Sequence, residues 1–223
     1  LSLLILISVA SLRMRETPHA DAHQAVPSVL ALLRRREVIA FFSSTFLMIA
    51  AHASLYAFYS LYLAQIGYSN TVIGLMWSLG VVAEIVFFFY QAPIFRRFGV
   101  RKLMIGSLLI AVLRFLLIGF GAESLLLLLV AQVLHAATFG VHHSASVATL
   151  QRWFSGRLQA SGQALFTSIS YGLGGTMGGL ILGSFWDTFG SRTVYSMAAV
   201  FSLAGAAAAV FSYRWQAHHE ERR

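Results

Sequence analysis

Several residue types that define soluble or catalytic proteins are absent or scarce in this sequence. It has no cysteine, which excludes disulfides, cysteine-based zinc sites and a thiol nucleophile. Charged residues make up 11% of its 223 residues, whereas soluble domains contain about 25%. Hydrophobic residues make up 58%, and the mean hydropathy is +0.73. This balance predicts a protein whose main solvent is the lipid bilayer.

Motifs of the common enzyme classes are also missing. The single lysine, Lys102, lies between two apolar runs and is followed by leucine, so no phosphate-binding loop of the ATPase type is present. A lysine Schiff base with retinal or pyridoxal inside the membrane is excluded for the same reason. Neither the HExxH nor the GxSxG motif occurs. We therefore expect no enzyme activity, no metal site and no cofactor.

Six apolar stretches have the length of about 20 residues that a membrane-spanning helix needs. Charged residues, glycine or proline bracket each of them. The predicted spans are Val38–Leu63, Val72–Gln91, Leu103–Phe120, Leu125–Leu150, Leu158–Phe185 and Thr193–Tyr213. We predict an all-α, polytopic membrane fold in which residues 38–214 form a six-helix bundle.

The remaining segments are short. Residues 1–12 are apolar but too few to cross a bilayer, and we interpret them as the end of a truncated transmembrane helix. Residues 13–37 are predicted to be a central cytoplasmic loop with a short amphipathic helix after Pro27 and Ser28. Residues 215–223 are predicted to be a cytoplasmic tail. This layout is typical of the second half of a transporter with two six-helix halves, so an N-terminal half is an expected partner.

Basic residues are concentrated on one side of the predicted membrane. Consecutive spans alternate in direction, and one of the two resulting sets of loops contains 14 of the 16 lysines and arginines. The other set contains Arg192, beside the acids Glu123 and Asp187. Because basic loops face the cytoplasm, both ends of the chain are predicted to be cytoplasmic. The basic residues are spread over four loops and are not interleaved with aromatic residues, which argues against a nucleic-acid partner.

Three ionisable residues lie at a similar depth on three consecutive spans. At ~1.5 Å per residue, Glu84, Arg114 and His135 lie about 11–16 Å from the cytoplasmic boundary. Because an unpaired charge is costly there, we expect Glu84 to pair with Arg114, and His135 to share their proton or hydrogen bonds. Such a group can carry the coupling proton of a symporter. The alternative is a purely structural ion pair with His135 as a core histidine.

Polar and aromatic residues near this group are candidates for the wall of a substrate cavity. His52, Tyr56 and Tyr59 fall on one face of the first span. In the second span, Trp77 shares a face with Glu84, seven residues later. His143 lies closer to the cytoplasmic surface. Aromatic residues in membrane helices also serve as packing or interface anchors, and this alternative stays open.

The fifth span is rich in glycine. Pairs of small residues four apart let helix backbones approach closely. The residues in such pairs are Gly174, Gly175, Gly178, Gly179 and Gly183. We predict close helix packing at these glycines, with or without movement of the helix. All three prolines, Pro93 among them, are predicted to lie in loops, so helix bending must come from Gly, Ser or Thr.

One loop resembles a family motif. The run Arg97-Phe98-Gly99-Val100-Arg101-Lys102 resembles the second half of the motif G-x-x-x-D-R-x-G-x-R-R, which belongs to the major facilitator superfamily. In this alignment Ala92 replaces the first glycine and Arg96 replaces the aspartate. The resemblance implies a gating-loop role for Arg97, Gly99, Arg101 and Lys102, without the contact that the aspartate would make.

Three further stretches resemble the bacterial 3-phenylpropionate permease group, which is similar to the lactose and nucleoside proton symporters. They are AHASLYAF from Ala51, LMWSLGVVAE from Leu75 and QVLHAATFGVHH from Gln132. The resemblance implies the C-terminal half of a proton symporter in the bacterial inner membrane. Lactose permease uses a carboxylate, an arginine and a histidine for proton coupling. This implies the same role for Glu84, Arg114 and His135, although the His135 helix lacks that permease's second carboxylate.

The resulting prediction is a secondary active transporter that couples protons to a small organic solute such as an aromatic carboxylate. A nucleoside or a sugar is an alternative solute. A haem-binding helical bundle is a different class, with His52, His135 or His143 as ligands, although His52 is expected nearer the outer surface than the other two. Another class is a membrane subunit without transport activity that docks through the glycine-rich helix.

Overall fold

The described part of the chain is residues 28–220 of a computed structural model, with side chains described as far as residue 217. It is helical almost throughout, and these residues contain no strand, which confirms the all-α prediction. The predicted helix end at residues 1–12 lies outside this part. So do residues 13–27 of the predicted loop and residues 221–223 of the predicted tail.

The first helices follow one another through short turns. A short helix, α1, occupies the position predicted after Ser28. Helix α5 contains a π-helical segment, Ala136–Val141, between two α-helical parts. The bounds are α1 Val29–Leu33, α2 Arg36–Gln65, α3 Asn70–Phe98, α4 Val100–Gly121 and α5 Leu125–Trp153.

The rest of the chain forms two helices that run along α2 in opposite directions. A second π-helical segment, Thr167–Gly174, precedes a continuous run, Gly175–Glu220. That run is interrupted at Gly190, where a φ of 74° and a ψ of −179° are incompatible with a helix. Before Gly190, successive residues of the run contact positions of α2 that lie closer and closer to its C-terminus. After Gly190, the contacted positions return toward the N-terminus of α2. The pairs are Gly174 with Phe46, Gly178 with Ala50, Trp186 with Tyr62, Gly205 with Ser44, and Ser212 with Glu37.

We therefore describe residues 159–189 as α6 and residues 191–220 as α7. Six helices of membrane-spanning length, α2 to α7, make up the described bundle. A positive φ is a backbone state that glycine adopts without strain, and this explains why the chain can reverse at Gly190.

Helix α2 lies at the centre of the bundle and α3 lies at its edge. In their most apolar 18-residue windows, 78% of α2 is buried but only 22% of α3. Buried side chains of α2, such as Met48 and Leu55, join one apolar core with those of α4 and α7. The outer face of α3 leaves large apolar side chains exposed, including Phe89 at 81%. A surface of this kind needs lipid or another helix bundle against it.

Pro93 lies inside α3, so its predicted position in a loop is wrong. Helix α3 continues to Phe98, and Gly99, with a φ of 74°, connects it directly to α4. Proline removes one backbone hydrogen-bond donor. The helical hydrogen bonds continue beyond Pro93, and at the end of the helix Gly99 N donates to Phe95 O at 2.9 Å. Phe95, on the same turn, is half-buried and packs against the core.

Candidate functional site

Glu84 of α3 and His135 of α5 contact each other within the bundle. The distance from His135 Nε2 to Glu84 Oε1 is 3.3 Å, and the two side chains are 8% and 16% exposed, respectively. The contact is at ion-pair distance but lacks the alignment of a hydrogen bond. Two groups that can each hold a proton therefore meet in a largely dry environment.

The absence of side chains at two glycines lets α3 and α5 approach closely around this contact. A Cβ atom at Gly80 would lie 3.1 Å from Gln132 Oε1 and 3.4 Å from His135 Cδ2. A Cβ atom at Gly140 would lie 2.9 Å from Phe87 Cδ1. These glycines lie on both sides of the contact, so the backbone approach that they permit positions the two ionisable groups.

Arg114 of α4 is fully buried and binds α5, not Glu84. Its Nε donates to Ala131 O at 2.8 Å and its Nη1 donates to Thr138 Oγ1 at 3.2 Å. Glu84 is within electrostatic range of Arg114 but not in contact. The expected Glu84–Arg114 ion pair is thus wrong. These acceptors flank the start of the π-helical segment of α5, where the regular pattern of backbone bonds changes.

His52 of α2 lies beside His135, with ring centroids 6.0 Å apart. It is fully buried, with Nδ1 2.9 Å from Met48 O and Nε2 3.5 Å from Arg114 Nη1. Contrary to the expectation, His52 therefore does not lie nearer the outer surface than His135, because counting residues along a span ignores helix tilt and offset. Both nitrogens of His52 face protein groups, which leaves neither open to ligate a haem iron.

Phe139 is the centre of a column of rings next to the Glu84–His135 contact. It stacks on His135 at 5.5 Å and on His143 at 6.4 Å, with interplanar angles of 13° and 12°. Tyr56 and Tyr171 both contact Phe139 edge-on, at 86° and 82°. We call these five rings the aromatic column. They combine apolar faces with hydroxyl and imidazole groups, which suits an organic solute with a polar end.

The remaining residues predicted to line a cavity divide into two groups. Tyr56 is 54% exposed and stacks on Trp77 at 6.2 Å, while Tyr59 is fully buried behind Trp77 and contacts it edge-on. Trp77 also donates from Nε1 to Ser60 Oγ at 3.0 Å. Tyr56, Trp77 and His143 thus have some accessible surface near the ionisable groups, whereas His52 and Tyr59 support them from within the core.

Comparison with known proteins identifies the family. Residues 1–197 match the family described as MFS_1 like. The chain belongs to this family, within the major facilitator superfamily.

Curated relatives of this major facilitator chain are named as transporters and not as enzymes. Two come from Escherichia coli K12. The "Probable 3-phenylpropionic acid transporter" is 37% identical over 118 residues, which cover 53% of this chain and 30% of that protein. The "Putative nucleoside transporter YegT" is 28% identical over 154 residues, which cover 67% of this chain and 36% of that protein. The chain thus spans about a third of the length of these relatives.

The fold is also similar to that of solved structures. The crystal structure of the nucleoside transporter NupG matches 95% of this chain with a TM-score of 0.70 and 20% identity, over 58% of the NupG chain. A mutant of NupG matches with the same TM-score. At this identity the likeness concerns the fold.

The glycines of α6 in this major facilitator chain do not all pack alike. A Cβ atom at Gly178 would lie 2.5 Å from Ala50 Cα, and one at Gly174 would lie 2.8 Å from Phe46 O. Gly175 and Gly183 make ordinary contacts with α2 side chains at 3.8 and 3.5 Å. At Gly179 nothing among the described residues lies within 4 Å, so close packing is wrong for that position. Position 179 lies about 100° around the helix axis from Gly178, so a Cβ atom there would not point at α2 as one at Gly178 would.

The segment with the family loop motif is a helix junction of one residue. Gly99 ends α3 and begins α4, and its positive φ explains the glycine at this place in the motif. The Arg97 guanidinium lies 5.6 Å from the Phe98 ring centroid, and Arg101 and Lys102 are exposed in the first turn of α4. The basic side chains therefore lie at one end of the bundle, which we call the basic end.

Three residues at the site were not predicted from the sequence. Phe139 is four residues from both His135 and His143, so helical periodicity could have revealed it. Tyr171 is an isolated aromatic residue within the glycine-rich span, and its OH group lies 2.9 Å from His143 Nδ1. Thr138 carries no comparable signal in the sequence, because its role depends on the direction of Arg114.

Proposed function

We propose that this chain forms the C-terminal half of a secondary active transporter that couples protons to the movement of a small organic solute. The observation that carries the proposal is the contact of 3.3 Å between Glu84 and His135, deep in the bundle and beside the aromatic column. Ionisable residues inside the membrane are costly and are typical of proton pathways. A solute bound at the column would lie next to the proton site.

The two groups can exchange a proton in response to the solute. A proton can pass between Glu84 Oε1 and His135 Nε2, which lie 3.3 Å apart, after a small rotation of either side chain. The buried positive charge of Arg114 nearby interacts favourably with the carboxylate that remains. Moving between these states changes the charge beside the aromatic column and hence the affinity for a charged or polar solute. This linkage of two ligands is what a symporter requires.

An aromatic carboxylate such as 3-phenylpropionate is the proposed solute. Tyr56, Phe139 and Tyr171 supply aromatic faces and edges for a phenyl ring, and Arg114 makes the region electropositive. The name of one relative supports this choice. A nucleoside is the second candidate, because the other relative and the solved structure are named as nucleoside transporters, and a base can stack on the same rings.

We further propose that an N-terminal six-helix half covers the exposed side of the aromatic column. In this arrangement the protein lies in the bacterial inner membrane, with the basic end in the cytoplasm. The excess of lysine and arginine at that end supports this orientation.

The experiment is uptake of labelled 3-phenylpropionate into proteoliposomes that contain the full-length protein, with and without an imposed pH gradient. We expect accumulation above equilibrium that a protonophore abolishes. Glu84→Gln is expected to abolish this accumulation while exchange of labelled for unlabelled solute continues. The control is Glu123→Gln, in the exposed turn after α4. Undiminished accumulation by Glu84→Gln would contradict the coupling role, and uptake of a nucleoside alone would select the second candidate.

A further inference from the structure

A cavity lies at the basic end, remote from the aromatic column. Its volume is about 350 Å³. The junction of α3 and α4, the end of α5 and the end of α7 meet around it. The lining residues are Phe98, Gly99, Val100, Arg101, Lys102, Arg152, Tyr213, Gln216 and Ala217.

Three basic side chains converge on this cavity. Arg101 and Lys102 come from α4, and Arg152 comes from α5. None of the described lining residues is acidic. Like charges that converge repel each other, so an anion between them would be stabilised.

The cavity wall is held together by contacts between helices. Tyr213 OH of α7 lies 2.8 Å from Thr149 Oγ1 of α5, and the tyrosine is buried. Because Thr149 and Arg152 are three residues apart, they lie on the same side of α5. The bond between Tyr213 and Thr149 therefore fixes the backbone that carries Arg152 at the cavity. Gln216 is oriented as well, since its amide nitrogen donates to Ser212 Oγ at 3.2 Å.

The N-terminus of α4 adds donors to the same wall. Gly99 turns the chain so that α4 begins at the cavity, and no side chain caps this end of the helix. Uncapped backbone N–H groups at a helix N-terminus favour anions and phosphate groups in particular. Two guanidinium groups and one ammonium group at the same cavity suit a phosphate, which accepts several hydrogen bonds.

We propose that this cavity binds the phosphate of an anionic lipid headgroup. The same chemistry would bind free phosphate, but apolar residues make up much of the remaining wall. Phe98, Val100 and Ala217 offer contact area to the glycerol and acyl parts of a lipid that inorganic phosphate cannot use. The cavity also lies at the ends of membrane-spanning helices, at the depth of the headgroups. The proposal does not depend on the transported solute or on proton coupling.

The test measures thermal unfolding of the purified protein in detergent during titration with short-chain lipids. Phosphatidylglycerol is expected to raise the midpoint temperature, whereas phosphatidylcholine of the same chain length and inorganic phosphate are not. In the double variant Arg101→Gln, Arg152→Gln the apparent affinity for phosphatidylglycerol is expected to fall about tenfold or more. The matched control is Arg96→Gln, Arg97→Gln, which removes two exposed charges from the same end but outside the cavity lining.

Three results would overturn the proposal. An equal loss of affinity in both double variants would mean that only diffuse surface charge attracts the lipid. Equal effects of phosphatidylglycerol and phosphatidylcholine, which both contain a phosphate group, would remove the selectivity for a lipid headgroup with a net negative charge. A shift with inorganic phosphate as large as that with phosphatidylglycerol would replace the lipid with a free anion. If the Arg101→Gln, Arg152→Gln variant does not fold, the single variants Lys102→Gln and Arg96→Gln are compared instead. Each removes one charge, the first inside the cavity lining and the second outside it.

Discussion

His143 of α5 and Tyr171 of α6 are joined by a contact of 2.9 Å between Nδ1 and the phenolic oxygen. Tyr171 lies within the π-helical segment of α6, and His143 is the second residue after that of α5. π-Helical segments interrupt the regular hydrogen-bond ladder and are frequent at functional sites. The hydrogen bond thus connects two helices at the points where each can most readily change its winding.

We expect Tyr171→Phe to alter transport more than folding. The ring and its edge-on contact with Phe139 are retained, and only the hydroxyl that binds His143 is lost. If the hydrogen bond exists in one transport conformation only, its loss shifts the balance between conformations by about 0.5–1.5 kcal/mol, or roughly 2- to 12-fold. Initial uptake rates by the full-length protein measure this change. The control is Tyr90→Phe, on the exposed face of α3, and equal rates for the two variants would contradict the prediction.

Gly178→Ala is expected to destabilise the bundle by about 1–3 kcal/mol, as overpacked interiors typically are. The added Cβ atom would lie 2.5 Å from both Cα and O of Ala50, so the backbones of α2 and α6 would have to separate. Gly179→Ala is the matched control, because the next position has no neighbour within 4 Å among the described residues. The free energy of unfolding in detergent gives the comparison. An alanine tolerated equally at both positions would show that the close approach of α2 and α6 does not limit stability.

Thr138→Val tests whether the bonds of Arg114 to α5 matter for stability. Valine has nearly the same shape, but it removes the acceptor for Arg114 Nη1. Arg114 Nη2 already lacks a hydrogen-bond partner among the described residues, so the buried guanidinium would lose one of few contacts. We expect a loss of about 1–3 kcal/mol.

The control for this substitution is Thr193→Val near the start of α7, where the partly exposed hydroxyl donates to the backbone carbonyl of Phe189 across the break at Gly190. Equal stability of the two variants would mean that Arg114 finds another acceptor. Unfolding monitored by circular dichroism, in the same detergent for both, provides the measurement.

Much of the fold follows from the sequence, because the bilayer imposes a length and an apolar composition on every spanning helix. This constraint predicted the helical fold and the stretches that cross the membrane. It also located Glu84, Arg114 and His135 as deep ionisable residues, since charges are rare enough in apolar runs to be recognised singly. The basic end was visible as a bias in the distribution of lysine and arginine.

Which side chains meet could be seen only once the helices were packed in three dimensions. Helical periodicity gives the face on which a residue lies but not the tilt, rotation or neighbours of its helix. For this reason Arg114 binds Ala131 and Thr138, and His135 contacts Glu84, although the sequence favoured a Glu84–Arg114 pair. Likewise Gly178 touches α2 while Gly179 does not. The class of fold and the candidate residues for its chemistry thus followed from the order of residues along the chain. Their pairing depended on how six helices pack, because that packing alone sets the distances between their side chains.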